Sequence, residues 1–178
     1  EKVRVPHDWA IAGPFDREHD IQHTAILEDG ERKQRPHTGR TGGLPHVGKA
    51  WYRLPFDLPA DLGPRRVRIE FDGVMSHSRV FCNGREAGHW PFGYASFAFD
   101  LTPHVQPGRN LLAVSVDNKP LASRWYPGAG IYRNVRLVIA DPVHIGHWGV
   151  RLTTPEITAD SAVLSVETVV LNHGAGAT

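Results

Sequence analysis

The stretch Asp117-Asn-Lys-Pro-Leu-Ala-Ser-Arg-Trp-Tyr-Pro-Gly-Ala-Gly-Ile-Tyr-Arg-Asn-Val-Arg-Leu137 holds a cation, two adjacent aromatics and a Pro-Gly-Ala-Gly turn between two apolar runs. Before it, Leu112, Val114 and Val116 alternate with Ala113, Ser115 and Asp117; after it, Val135, Leu137 and Ile139 repeat the pattern. A period of two marks a strand with one face toward a core, so the quoted residues form a loop between strands. Upstream, Val67, Ile69 and Phe71 alternate with Arg68, Glu70 and Asp72, and Phe97, Phe99 and Leu101 with Ala98 and Asp100. Tyr52, Leu54, Phe56 and Leu58 form a further strand, which Pro55 assigns to a sheet edge because it lacks a ladder donor. Arg79 to Cys82 runs into Asn83-Gly84, a two-residue hairpin signal, and returns along Arg85 to Gly88. Residues 102–110 read as a turn with one short helical twist. Eighteen glycines and fourteen prolines between such short runs leave little room for long helices, and the fold class is all-β.

The segment Ser123-Arg124-Trp125-Tyr126-Pro127-Gly128-Ala129-Gly130-Ile131-Tyr132-Arg133 resembles the end of the N-terminal jelly-roll domain of glycoside hydrolase family 2, especially its β-galactosidase-like members. Pro6-His7-Asp8-Trp9 is similar to the segment that opens that domain, and Thr41-Gly42-Gly43-Leu44-Pro45 to a recurring one within it. The resemblance implies a jelly-roll β-sandwich, galactose-binding-domain-like, over residues 1–140. A partial immunoglobulin-like β-sandwich would follow over residues 141–178. Ala140-Asp141-Pro142 is the expected boundary, and two alternating runs follow it, one around Ile145 to Leu152 and one from Leu164 to Val170. Two strands cannot bury a two-sheet core, so this second part is incomplete. Residues 13–49 show no sustained period and read as one long loop.

In that family, loops of the jelly roll wall the sugar subsite of a separate catalytic barrel. The resemblance carries this role to Asn118, Arg124 and Trp125, with the glycine pair Gly42 and Gly43 allowing backbone to approach a ligand. Arg124 would offer a fork of donors to adjacent hydroxyls, and Trp125 an apolar face for a sugar ring. The competing reading has Trp125 and Tyr126 plugging the end of the sandwich while Arg124 pairs with an acid. Trp90, Phe92 and Tyr94 fall in a loop after the hairpin, where they would stack a second sugar or dock on the barrel. Arg133, beside the returning strand, reads as structural.

Catalytic residues are not expected in this chain. Glycoside hydrolysis needs two carboxyl groups about 5 to 9.5 Å apart, and nothing in the placement of the acids singles out a pair. Asp8, Asp16, Asp57, Asp72, Asp100 and Asp117 stand at strand ends and turns, where Asp bonds to nearby backbone. The family's acid/base follows an Asn in an Asn-Glu pair on the barrel, and no Asn-Glu dipeptide occurs here.

Composition agrees with a neutral ligand. The 178 residues are 40% hydrophobic and 22% charged, and Lys plus Arg (20) nearly cancel Asp plus Glu (19). A formal charge of +1 gives no electrostatic reason for nucleic acid or a membrane surface as partner. No metal is expected: His19 and His23 lack a third ligand, and Cys82, the sole cysteine, excludes an internal disulfide. No cofactor is expected either, because Gly128-Ala129-Gly130 precedes a strand instead of opening a helix, and Ser76-His77-Ser78 is not a triad. The chain opens on Glu1-Lys2-Val3-Arg4, which lacks signal-peptide character, and a start on Glu suits a piece of a longer protein; its compartment is unknown. The expectation is the non-catalytic N-terminal part of a retaining exo-β-glycosidase of the β-galactosidase type. Its partners are then a β-galactoside or related sugar and the missing barrel. The alternative is an autonomous carbohydrate-binding module working through Trp90, Phe92 and Trp125.

Overall fold

The computed structural model describes residues 1–20, 22–37, 43–120, 125–174 and 176. Two antiparallel sheets face each other. One has the order β3 (Gly48–Leu58), β8 (Gly108–Asn118), β5 (Ser78–Cys82), β6 (Arg85–Trp90). The other has the order β7 (Phe97–Asp100), β4 (Arg66–Phe71), β9 (Val135–Ala140). The alternation read from sequence is what fills the space between them: Val67, Ile69 and Phe71 of β4 meet Val80, Cys82, Leu112, Val114 and Val116 from the opposite sheet. Phe71 is 1% exposed and stacks on Phe97 at 4.9 Å between ring centroids. Burying side chains of this size contributes about 1.5 to 3 kcal/mol each before entropy is counted.

Edges and turns follow the sequence. β3 lies at an edge, with Pro55 opposite Leu111. Asn83 and Gly84 both take positive φ (51° and 80°), as a tight hairpin turn requires. A short 3-10 turn at Thr102–His104 supplies the expected twist. Three of the turn aspartates bond to the amide two residues on: Asp8 to Ala10, Asp16 to Glu18 and Asp100 to Thr102. Asp72 instead receives a two-pronged bond from Arg136 at 2.7 and 2.9 Å.

Residues 13–49 are not one long loop. β1 (Gln22–Glu28) and β2 (Glu31–His37) pair over seven positions, turning at Asp29 (φ 52°) and Gly30 (φ 79°). The hairpin escapes a search for hydrophobic period because Glu31, Arg32, Gln34 and Arg35 all face solvent. Glu28 holds Arg35 at 2.6 and 3.0 Å across the strands. Asp29-Gly30 was the available signal.

Trp90 is likewise not in a loop. It ends β6 opposite Ser78, stacks on Phe97 at 5.7 Å and packs against the core.

Beyond Pro142, β10 (Val143–Ile157) and β11 (Ala162–Asn172) form a hairpin of their own. Val150, Leu152, Leu164, Val166 and Val170 are exposed on it, so it buries little apolar surface. A register shift between Ile145 and Val150 frees His147 from the ladder, and its Nδ1 lies 2.9 Å from Glu70 Oε1 on β4. Burial alone would raise the Glu70 carboxyl, but Arg68 and His147 beside it hold it below the usual carboxylate range.

Candidate functional site

The register fixes which loops share an end of the sandwich. Gly48 starts β3 opposite Asn118 at the end of β8, and Ser78 starts β5 opposite Trp90 at the end of β6. In the second sheet, Phe71 at the end of β4 pairs with Phe97 and Val135, the first residues of β7 and β9. The connections 43–47, 72–77 and 91–96, with residues 119–120 and 125–134, therefore all gather at one end.

The signature loop is tied down there from both sides. Gly130 exchanges two backbone bonds with Met75, at 2.7 and 2.9 Å. The N-terminal segment crosses over it: His7 N donates to Ile131 O at 2.7 Å and Trp9 N to Ala129 O at 3.0 Å. Asp8 completes the tie by accepting from Tyr126 Oη at 2.7 and 2.8 Å and from Ala129 N at 3.2 Å. The two stretches that resemble family motifs are thus one structural unit, although 118 residues separate Asp8 from Tyr126. Burial, reinforced by the Asp8 carboxylate, pushes the Tyr126 phenol far above its ordinary range. Tyr52 joins from β3, with Oη 3.0 Å from His7 Nδ1. Gly128 (φ 88°) and Gly130 (φ 121°) take conformations that side chains disfavour.

The expected site residues divide. Trp125 is 56% exposed and donates from Nε1 to Tyr94 Oη at 3.0 Å, so it does not plug the sandwich, whereas its neighbour Tyr126 is bound inward to Asp8. Asn118 is 7% exposed and donates from Nδ2 to His46 O at 3.2 Å; it holds the segment that carries Gly43. Gly43 itself is half-buried at this end. Arg124 and Gly42 lie outside the described residues. Arg133 lies over the Tyr132 ring at 5.4 Å.

The loop bearing Phe92 and Tyr94 is a neighbour that sequence reasoning noted without its partner. It is held at three points: His77 N donates to Pro91 O (3.1 Å), Tyr132 Oη to Gly93 O (2.8 Å) and Ser96 Oγ to Asp72 O (3.1 Å). Phe92 and Tyr94 meet edge to face at 5.7 Å and are 56% and 46% exposed. With Trp125 they make a contiguous run of exposed aromatic surface, which suits the apolar faces of a sugar.

Other places are chemically poorer. A cleft of about 610 Å³ opens between β3 and β9, lined by Val3, Val5, Leu54, Leu112 and Val135, and Glu1 is its sole acid. Among the described residues no three His, Cys, Asp or Glu side chains converge as a metal site; the His23 side chain is not among them.

Comparison with known proteins agrees with this fold. The family model described as glycosyl hydrolases family 2, sugar binding domain, matches residues 44–141. A β-galactosidase of Bacteroides ovatus is 43% identical over 95% of this chain, which covers 18% of that protein. A β-glucuronidase of Formosa agariphila is 34% identical over 98% of the chain, again covering 18% of that protein. Among solved structures, a β-glycosidase from Bacteroides vulgatus superposes with a TM-score of 0.78 at 34% identity, over 96% of this chain and 20% of that one. The chain thus spans about a fifth of the length of these relatives, and other domains make up the rest. With the signature loop, the opening segment and the sandwich all in the expected order, the chain belongs to the sugar-binding domain of glycoside hydrolase family 2.

Proposed function

We propose that this chain is the non-catalytic N-terminal part of a retaining exo-β-glycosidase acting on β-galactosides, in which it braces the catalytic barrel and lines the sugar subsite. In this reading residues 1–140 are the jelly roll and residues 141–178 open an immunoglobulin-like sandwich whose remaining strands cover the exposed apolar side chains of β10 and β11. Trp125 stacks on the sugar, Arg124 donates to its hydroxyls, Gly42 and Gly43 bring backbone close, and Asn118 holds their segment in place. The observation that carries the reading is the 56% exposure of Trp125 beside a turn held to Met75 and to the N-terminal segment. The 43% identity to a β-galactosidase supports the galactoside assignment. An autonomous module loses one of its three aromatics, because Trp90 packs against the core.

Asp8 is occupied by three structural partners and Asp72 by Arg136, so neither is available as an acid or nucleophile. The expected result for the purified chain is no hydrolysis of a chromogenic β-galactoside, while the enzyme extended through its barrel turns it over. Any turnover by the purified chain above the uncatalysed rate contradicts this account.

A further inference from the structure

We infer that Tyr94 is a positioning residue for sugar recognition: it accepts the indole N–H of Trp125 and so sets the orientation in which the indole face meets the sugar. This rests on the reading that Trp125 touches the sugar. Four observations carry it. The Trp125 Nε1 to Tyr94 Oη distance is 3.0 Å, a full-strength bond. Tyr94 stands on a loop whose backbone or side chains are bonded at Pro91, Gly93 and Ser96, so its ring has a fixed base. Gly93 lets that loop lie against Met75, since a Cβ there would fall 2.2 Å from Met75 Sδ. Phe92 supports the Tyr94 ring from its edge at 5.7 Å.

Binding must select one among the rotamers that an exposed side chain samples. A bond from the indole N–H narrows those rotamers before the ligand arrives, which improves affinity without adding any contact to the ligand. The sequence separation of 31 residues between the two side chains is why no local motif reveals the pair.

The test is a double-mutant cycle in the full-length enzyme with a chromogenic β-galactoside, reading KM and kcat separately. Tyr94→Phe removes only the hydroxyl of a half-exposed ring, so the fold is retained. It is expected to raise KM about three- to tenfold, the range of one neutral hydrogen bond, with kcat unchanged. Trp125→Phe removes the indole donor. In that background Tyr94→Phe should have no further effect, because the bond is already gone. If Tyr94→Phe leaves KM unchanged while Trp125→Ala raises it, or if the two Phe variants add, the positioning role is overturned and the sugar contact of Trp125 stands. If Trp125→Ala itself leaves KM unchanged, the underlying reading fails and the inference falls with it.

Discussion

Gly130→Ala is expected to destabilise the domain by about 3 to 5 kcal/mol, a large fraction of the about 5 to 15 kcal/mol that holds native proteins folded. Two costs combine. Gly130 sits at φ 121°, where any Cβ is strained. A Cβ at this position would also fall 2.3 Å from Tyr52 Oη and 2.7 Å from His7 O. Relief by a backbone shift is blocked, because the Gly130 N–H and C=O are both bonded to Met75. Gly84 supplies the internal comparison: its φ is 80°, but nothing lies within 4 Å of an added Cβ. Gly84→Ala should therefore cost only the strain of a left-handed residue, about 1 to 2 kcal/mol. Denaturant unfolding of the two variants measures the difference, and equal midpoints would refute the steric argument.

Asp8→Ala is the second large effect, with an expected loss of about 3 to 4 kcal/mol. The carboxylate accepts from Tyr126 Oη, Ala10 N and Ala129 N, and Ala10 and Ala129 are fully buried. A bond to a charged acceptor contributes about 1.5 to 3 kcal/mol, and the buried amide of Ala129 would be left without this acceptor. Asp8→Asn retains one acceptor oxygen and should fall between. The same contact gives an alkaline signature. Because the folded-state phenol of Tyr126 is raised, its contribution to stability is complete below the unfolded value near pH 10. That contribution is lost as pH climbs through the raised one. Asp8→Ala should shrink that alkaline loss; an unchanged stability in Asp8→Ala would mean that the N-terminal segment does not hold the signature loop.

These two sites show what could be read in the chain and what could not. The strands of the sandwich were legible because Val67, Ile69 and Phe71, or Leu112, Val114 and Val116, must all point one way to be buried. The Asn83-Gly84 turn was legible because few other pairs accept two positive φ values. The β1–β2 hairpin was not, since β2 is polar, neither strand alternates, and only Asp29-Gly30 marked the turn. Trp90 was misplaced because the sequence shows where a hairpin turns but not how far its ladder runs, and here it continues to Ser78. At the loop end the resemblance singled out Trp125, and the fold leaves it 56% exposed. The partners that fix its surroundings, Asp8 and Tyr94, act across 118 and 31 residues, distances over which sequence pattern carries no signal. Asn118 was carried over from the resemblance as a substrate-binding residue; the fold leaves it 7% exposed with its amide donating to His46 O, a contact between distant segments that sequence pattern does not show.

The claim on which the account depends is that this domain contributes a side chain to sugar recognition in an enzyme whose acids lie elsewhere. The most direct measurement is steady-state kinetics of Trp125→Ala in the full-length enzyme against a chromogenic β-galactoside. Loss of one stacked ring should raise KM by about tenfold, in keeping with roughly 1 to 1.5 kcal/mol for an aromatic contact, while kcat changes little. A KM equal to that of the parent enzyme would contradict the account.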